Sequence, residues 1–273
     1  MNNKPAPKLN ATVLLKEELS PRYMILRVAS VDWQLPNFIP GQFAVLGLPG
    51  SAPRCSLATP EPEPPGPNDL IRRAYSVASS SMINEFMDFY VGLVSSGLLT
   101  PRLFALGVGD PLFLGSRVAG MFTLDQVTPG KNVVMIATGT GLAPYISMMT
   151  SELTCGTQRK YAVLHGAYHS WDLAYRSELL NLQHLCPNFT YLATIDQPKD
   201  EPIPWNGYIG WVQNLWKEGV LAKAWGFQPT KDDTDVFLCG NPAMIEEMLG
   251  ILEKDGFSEH TRKLPGQVHI ERF

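Results

Sequence analysis

The spacing of apolar residues changes near the middle of the chain. In the first half the apolar runs are short, rich in Val, Leu, Phe and Tyr, and interrupted by Pro, Gly or Ser. Short strands at this spacing are typical of a closed or nearly closed antiparallel barrel. Residues 100–110 predict one or two helical turns that end at a turn at Gly109-Asp110. The predicted strands are "ATVLLKEELS" (11–20), "YMILRVAS" (23–30), "GQFAVLGL" (41–48), "RAYSVAS" (73–79) and "MDFYVGLVS" (87–95).

The second half alternates between buried strands and helices. Residues 132–139, "NVVMIATG", are almost continuously apolar, as in a parallel strand buried on both faces, and helical spacing follows in 142–153. This alternation predicts a Rossmann-like parallel sheet with helices on both faces. The polar stretch "DQVTPGKN" (125–132) separates the two patterns, so we expect domains over 1–127 and 128–273. The later strands and helices are predicted in "KYAVLHGA" (160–167), "LAYRSELLNLQHL" (173–185), "FTYLATID" (189–196), "GWVQNLWKEGVL" (210–221), "DVFLCGN" (235–241) and "PAMIEEMLGILEKDG" (242–256).

Residues 49–69, "PGSAPRCSLATPEPEPPGPND", have no apolar periodicity and are dominated by Pro and Gly. This composition predicts a long exposed loop that interrupts the barrel before Arg73. A tolerated surface insertion is the simplest interpretation. A lid over a ligand or a docking surface is the alternative.

Composition narrows the classes of function. Charged residues make up 18% of the 273 residues and the formal net charge is -4, which is unlike the basic balance of a nucleic-acid binder. The N-terminus lacks the pattern of a signal peptide, and no run of about 20 apolar residues exists to span a bilayer. We therefore expect a cytoplasmic protein that binds neither nucleic acid nor membrane.

Four cysteines occur, and no two of them have CxxC spacing. A zinc site or an iron–sulfur cluster within this chain is therefore not expected, and no metal site is predicted. Disulfides remain open, although a core of this size would not need them. The cysteines lie at positions 55, 155, 186 and 239.

Two predicted strand-to-helix junctions have features of a nucleotide site. In "ATGTGLAP" (137–144), Gly139 and Gly141 permit a tight turn and a close approach of the backbone to a pyrophosphate. The pattern is G-x-G-x-x-P, so an ordinary strand–helix turn remains the alternative. "FLCGNPAMIEEM" (237–248) is a second junction, and both lie at carboxyl ends of parallel strands, where ligands bind. Cys239 would touch a ligand there or be a small buried apolar residue.

Seven short motifs in order make the chain resemble the ferredoxin–NADP reductase family of flavoproteins. The resemblance covers nearly the whole chain apart from the Pro-rich loop, and it is to bacterial members with a plant-like C-terminal ending. It implies a β + α/β fold in which an antiparallel FAD-binding β-barrel precedes an NAD(P)-binding α/β domain. The motifs are "PGQF" (40–43), "RAYSVAS" (73–79), "GLLTPRL" (97–103), "TGTGLAP" (138–144), "DLAYRSEL" (172–179), "CGNP" (239–242) and "VHIERF" (268–273).

The resemblance assigns residues to FAD. Arg73 would pair with the flavin phosphate, Tyr75 would pack on the isoalloxazine, and Ser76 would hydrogen-bond near N5. A guanidinium suits a phosphate, and a phenol offers both a ring and a hydroxyl. Phe273 would cover the far face of the ring, with a frayed terminus as the alternative. The predicted FAD residues are Arg73, Ala74, Tyr75, Ser76, Val91, Gly97, Leu99, Thr100, Thr140 and Phe273.

The resemblance also implies a nicotinamide site. Glu271 would match a carboxylate near the nicotinamide, and Tyr208 would either stack on adenine or belong to the core. Ser76, Cys239 and Glu271 would frame hydride transfer as the catalytic residues, with positioning roles. The predicted nucleotide residues are Thr138, Gly139, Gly141, Asp196, Tyr208, Gly240, Asn241 and Pro242.

The chain departs from NADPH-using members at two places. Ile195 and Asp196 stand where a Ser-Arg or Thr-Arg pair commonly grips the 2′-phosphate, and Tyr168 stands where many bacterial members have an arginine. A carboxylate repels a phosphate but accepts hydrogen bonds from ribose hydroxyls, so we expect NADH or dual use. Cations that would reverse this expectation are available at Arg159, Lys160, Arg176 and Lys199.

The resemblance therefore implies an FAD enzyme that exchanges electrons between NAD(P)H and a separate one-electron carrier such as ferredoxin or flavodoxin. Two alternatives stay open: the reductase component of an oxygenase or cytochrome system, and a flavin-binding subunit without turnover. Because such carriers are usually acidic, basic residues would contribute to docking. Candidates are Arg22, Arg27, Arg54, Arg72 and Arg117.

Overall fold

The computed structural model describes residues 5–272. The chain divides into two compact units. One unit is Met1–Met121 with Ile146–Ser151, and the other is Phe122–Tyr145 with Glu152–Phe273.

The first unit contains a six-stranded sheet in which all neighbouring strands are antiparallel. An isolated bridge between Val77 and Phe89 joins the end of one edge strand to the other edge and so closes the sheet. The predicted antiparallel barrel is confirmed. Its elements are β1 (Ala11–Ser20), β2 (Tyr23–Ser30), β3 (Phe43–Pro49), β4 (Leu70–Ser76), β5 (Met87–Gly92), α1 (Thr100–Phe104) and β6 (Pro111–Leu114), with sheet order β4-β3-β6-β1-β2-β5.

Strand β6 is the part of the barrel that the sequence pattern missed. It has only four residues, too few to show a clear alternation, yet it pairs with both β1 and β3. Leu112 and Leu114 of this strand are completely buried in the core of the first unit. Strand β4 also begins at Leu70, three residues before the predicted start at Arg73.

The second unit contains a six-stranded sheet in which every neighbouring pair is parallel. The predicted parallel-sheet α/β domain is confirmed. Its strands are β7 (Asn132–Thr138), β8 (Tyr161–Ala167), β9 (Phe189–Ile195), β10 (Tyr208–Ile209), β11 (Thr234–Cys239) and β12 (Val268–Glu271), in the order β10-β9-β8-β7-β11-β12. The helices are α2 (Ala143–Glu152), α3 (Arg176–Leu185), α4 (Val212–Lys217), α5 (Val220–Trp225) and α6 (Pro242–Lys254).

The predicted helix over 210–221 is instead two short helices, α4 and α5. Gly219 between them has φ +67°, a left-handed conformation that glycine adopts readily and that a continuing helix does not contain. The strand order is also informative, because the chain moves outward from β7 to β10 and returns on the other side of β7 as β11. Such a reversal marks the switch point where ligands bind in open α/β sheets.

The Pro-rich loop has no helix or strand over 50–69, as expected, but it is not simply exposed. Ala52 and Cys55 pack against the core of the first unit, and the backbone N–H of Cys55 donates to the carbonyl of Pro101 at 2.9 Å. The side chains of Arg54 and Glu61 are only 16% and 9% exposed. The prediction of a long exposed loop was therefore wrong for these residues, because buried charges anchor them.

Cys155 and Cys186 form a disulfide, with Cα atoms 4.9 Å apart. Cysteine spacing alone neither predicts nor excludes this bond. Cys55 and Cys239 are free thiols. Within residues 5–272, no helix is long and apolar enough to cross a membrane.

Candidate active site

The two predicted strand-to-helix junctions of the second unit are bonded to each other. The hydroxyl of Thr138, the last residue of β7, accepts a 2.8 Å hydrogen bond from the backbone N–H of Asn241. The side chain of Asn241 in turn accepts from the backbone N–H of Ala243 at 2.8 Å and so caps α6, in which Pro242 is the first residue. The ends of β7 and β11 therefore form one continuous surface at the switch point.

Glycine is required at two positions of this surface. A Cβ atom on Gly141 would lie 2.2 Å from the carbonyl oxygen of Cys239. A Cβ atom on Gly240, which has φ +131°, would lie 2.4 Å from the Thr138 hydroxyl oxygen. Gly139 has φ +51° and begins the turn that leads into α2, with the partly exposed Thr140 beside it. The backbone is thus packed closely at this turn while Gly139 and Thr140 are partly exposed, an arrangement that suits a bound pyrophosphate.

Cys239 and Glu271 are also brought together. They are register partners on β11 and β12, and the Cys239 thiol donates to the Glu271 carboxylate at 3.6 Å. Cys239 is completely buried, and this burial, with the nearby charge of Glu271, raises the pKa of the thiol well above its ordinary value. The thiol therefore remains protonated and serves as a hydrogen-bond donor.

Tyr145 belongs to the same cluster, and apart from its place just after Pro144 no sequence pattern indicates this role. Its side chain is completely buried in α2 and its hydroxyl donates to the carbonyl of Ile136 at 3.2 Å. Burial raises the pKa of its hydroxyl, and its electrostatic interactions with Cys239 and Glu271 act in the same direction. Tyr145 therefore remains neutral beside the Cys239–Glu271 pair.

Asp196 and Tyr208 lie toward the β10 edge of the parallel sheet, whereas Cys239 and Glu271 lie toward the β12 edge. Asp196 directly follows β9, and its Oδ1 atom is buried without a hydrogen-bond partner among the described residues. Tyr208, in β10, is 45% exposed, so the prediction of a core role for its ring is wrong. Arg176, one of the cations noted from the sequence, lies with its guanidinium 4.9 Å from the centre of the Trp205 ring. An orphaned acceptor and an exposed ring suit the ribose and the adenine of a dinucleotide.

The residues assigned to the flavin ring lie in the first unit. Arg73 and Ala74 are exposed on β4, and the Arg73 guanidinium donates to the carbonyl of Arg72 at 2.7 Å. Tyr75 is half-buried; burial raises the pKa of its hydroxyl, and the charge of Arg73 opposes this effect. Ser76 is buried at the end of the strand. An exposed cation, a half-buried phenol and a hydroxyl within four residues form a suitable donor set for a flavin mononucleotide moiety.

The segment 97–100 also fits a phosphate-binding role. Gly97 is partly exposed, and the Thr100 hydroxyl connects both backbone groups of Val94, accepting from the N–H at 3.0 Å and donating to the C=O at 3.1 Å. Leu99 and Val91 are buried in the core, Val91 completely, so their side chains support the site from inside the barrel. Phe273 lies outside the described residues. In the part of the chain that the structure describes, no group of three or more His, Cys, Asp or Glu is placed to hold a metal ion.

The antiparallel barrel, the parallel sheet and the glycine junction are the features of a protein with a nucleotide-binding α/β unit. The family model described as "Oxidoreductase NAD-binding domain" matches residues 135–249. The ferredoxin–NADP reductase of Pseudomonas aeruginosa is 31% identical over 212 residues, which cover 74% of this chain and 80% of that protein. The toluate 1,2-dioxygenase electron transfer component of Pseudomonas putida is 26% identical over 257 residues, 94% of this chain and 65% of that protein.

Among solved structures, a ferredoxin NADP+ reductase from Neisseria gonorrhoeae with bound FAD and NADP has a TM-score of 0.78. It is 22% identical, and the match covers 96% of this chain and 97% of that one. The chain belongs to the ferredoxin–NADP reductase family. The predicted family and the prediction of an oxidoreductase are confirmed.

Proposed function

We propose that the chain is an FAD-dependent oxidoreductase that exchanges electrons between NAD(P)H and a small one-electron carrier, ferredoxin or flavodoxin. The observation that carries this proposal is the close approach of Gly141 to the backbone of Cys239, which shapes the carboxyl ends of β7 and β11 for a dinucleotide in a chain of this family. FAD, when bound, supplies the conversion between two-electron and one-electron transfer. A cytoplasmic location remains a prediction.

The residues of this chain bind FAD and position the nicotinamide. Arg73 would hold a phosphate of FAD, Tyr75 would pack on its ring, and Ser76 would donate to the ring edge. Cys239 and Glu271 set the position of the nicotinamide, since hydride transfer depends on the distance and alignment of the reacting atoms. Catalytic roles for Ser76, Cys239 and Glu271, and a role for Phe273 over the flavin, are predictions from the family.

The nicotinamide preference depends on Asp196. Its buried, unpartnered oxygen supports an acceptor role toward the ribose hydroxyls of NADH, and its charge opposes the 2′-phosphate of NADPH. Lys199 is exposed three residues further along the chain. We therefore propose NADH use or dual use, in contrast to the NADP in the names of the relatives.

The test is a steady-state diaphorase assay with NADH and NADPH side by side, on the wild type and on Asp196→Arg. We expect the ratio of kcat/KM values to shift toward NADPH by about tenfold or more, because repulsion is replaced by attraction. Asp232→Arg is the matched control. Asp232 is an exposed carboxylate that precedes β11, whereas Asp196 follows β9, so the two lie at opposite ends of the parallel sheet. An Asp196→Arg enzyme with the wild-type ratio would refute the assigned role.

A second candidate function is the reductase component of an oxygenase or cytochrome system. It is favoured by the similarity to the electron transfer component from Pseudomonas putida, which extends over 94% of this chain. Reduction rates measured with ferredoxin, flavodoxin and an oxygenase ferredoxin or cytochrome as acceptors separate the two functions. Purified protein that holds FAD but oxidises neither NADH nor NADPH with ferricyanide would instead indicate a subunit without turnover.

The structure reduces the set of basic residues available for a carrier. Arg27 forms a two-pronged ion pair with Asp88, and Arg54 is mostly buried, so these two are less available to a carrier. Arg22, Arg72 and Arg117 are exposed. We propose that these three contribute to the docking of an acidic carrier, which predicts a KM for the carrier that rises with salt concentration.

A further inference from the structure

A buried carboxylate ties the Pro-rich loop to the first helix of the barrel unit. Glu61, within the loop, accepts two hydrogen bonds from the Arg102 guanidinium, at 2.5 and 3.0 Å. Arg102 lies in α1, and its side chain is 3% exposed. The same guanidinium donates to the carbonyl oxygens of Leu98 at 2.6 Å and Gly50 at 2.8 Å. The Glu61 side chain is itself only 9% exposed, although it lies in a loop without apolar periodicity. Burial of a carboxylate at such a position points to a specific role for this contact.

A second arginine joins the same carboxylate to the same stretch of chain. The Arg54 Nε lies 3.6 Å from a Glu61 oxygen. Its terminal nitrogens donate to the carbonyl oxygens of Ser95 at 3.2 Å, Gly97 at 3.1 Å and Thr59 at 2.7 Å. Thr59 itself donates twice to the Ser95 carbonyl, from its backbone N–H at 3.0 Å and from its hydroxyl at 3.2 Å.

These bonds act on the segment that precedes α1. The carbonyl oxygens of Ser95, Gly97 and Leu98 are all engaged by guanidinium groups, and the Thr100 hydroxyl fixes Val94. Carbonyl oxygens carry partial negative charge, so their engagement by cations reduces the repulsion that a nearby phosphate would meet. Hydrogen bonding to Arg102, together with the charges of Arg102 and Arg54, holds the pKa of Glu61 below its ordinary value despite burial, so the carboxylate stays ionised near neutral pH.

We propose that Glu61, Arg102 and Arg54 form a positioning cluster through which the Pro-rich loop fixes residues 94–100 for the diphosphate of FAD. The loop is then part of the flavin site, and it is neither a passive insertion nor a lid. This inference rests on the proposed function, since it requires that the barrel unit bind FAD.

The test compares FAD binding by the wild type, Glu61→Gln and Glu63→Gln. Glu63 is the matched control, because it is an exposed carboxylate two residues further along the same loop. The FAD dissociation constant is measured by flavin fluorescence after FAD has been removed and added back. We expect it to rise about tenfold or more in Glu61→Gln and to be unchanged in Glu63→Gln, because buried charge clusters lose much of their effect when one member is neutralised.

One further readout separates positioning from loss of structure. The visible absorption bands of FAD bound to Glu61→Gln, at saturating FAD, should match those of the wild type, because Tyr75 and Ser76 keep their places. A wild-type dissociation constant in Glu61→Gln, or shifted bands, would overturn the inference. If Glu61→Gln does not fold, Arg54→Lys replaces it, and an unchanged affinity in that variant also overturns the inference. A folded wild type that binds no FAD would instead refute the proposed function.

Discussion

Cys239 and Glu271 face each other across two parallel strands, with the thiol 3.6 Å from the carboxylate oxygen. The contact depends on register: because β12 pairs with β11, residues 32 positions apart occupy adjacent places at one edge of the sheet. The pair therefore holds a protonated thiol and a carboxylate at the end of the sheet where the nicotinamide is expected.

Cys239 should resist alkylation in the folded protein. The thiolate is the reactive form, and complete burial with the nearby charge of Glu271 raises the pKa of this thiol. With iodoacetamide near pH 8, we expect labelling of Cys239 to be at least about tenfold slower than in urea-unfolded protein. Peptide mass spectrometry measures both rates, and equal rates would show that the thiol is accessible.

Glu271→Gln should lower kcat of the diaphorase reaction by about tenfold. Without the carboxylate the nicotinamide would be positioned less well, and small displacements of a reacting group are costly. FAD content should not change, since the residue lies in the nucleotide-binding unit. Glu253→Gln, an exposed carboxylate near the end of α6, is the control. Unchanged kcat and KM in Glu271→Gln would place the carboxylate outside the reaction.

Gly141→Ala should destabilise the protein by about 2 kcal/mol or more, because the added Cβ would lie 2.2 Å from the Cys239 carbonyl oxygen. Gly250→Ala offers the opposite case. Gly250 lies inside α6 with no atom within 4 Å of an added Cβ, so alanine there should stabilise by about 0.5 kcal/mol or more. Urea unfolding curves measure both effects, and equal shifts would contradict the close packing at the junction.

His165 should make the second unit sensitive to acid. It is completely buried, and burial lowers its pKa from 6.5 to about 3. Below pH 6.5 the unfolded chain takes up a proton that the folded chain refuses, so the free energy of unfolding falls as pH decreases toward 3, by up to about 1.4 kcal/mol per pH unit.

Urea unfolding followed by tryptophan fluorescence at pH 7, 6 and 5 measures this slope. The signal reports mainly on the second unit, which contains five of the six tryptophans. His165→Asn should remove the uptake of one proton on unfolding, so the free energy of unfolding should depend less steeply on pH. His184→Asn, at an exposed position, should leave this dependence unchanged. A slope that His165→Asn does not alter would show that another group titrates. The five tryptophans are Trp171, Trp205, Trp211, Trp216 and Trp225.

The sequence by itself determined the class of each sheet and the two glycine junctions. Runs such as 132–139 are apolar at every position that a doubly covered strand must bury, so the parallel sheet is visible in local pattern alone. The glycines at 139, 141 and 240 are likewise local, because backbone conformation or close contact excludes other residues there.

Only the tertiary structure decided which distant residues meet. Strand β6 is too short to carry a periodic signal, and it exists because β1 and β3 both supply backbone partners. Tyr145 joins the Cys239–Glu271 pair, and Glu61 meets Arg102, through packing of segments far apart in the chain. The Pro-rich loop is polar and aperiodic, so its sequence resembles exposed chain. Its anchoring depends on a buried carboxylate whose two cationic partners are assembled only when the barrel folds.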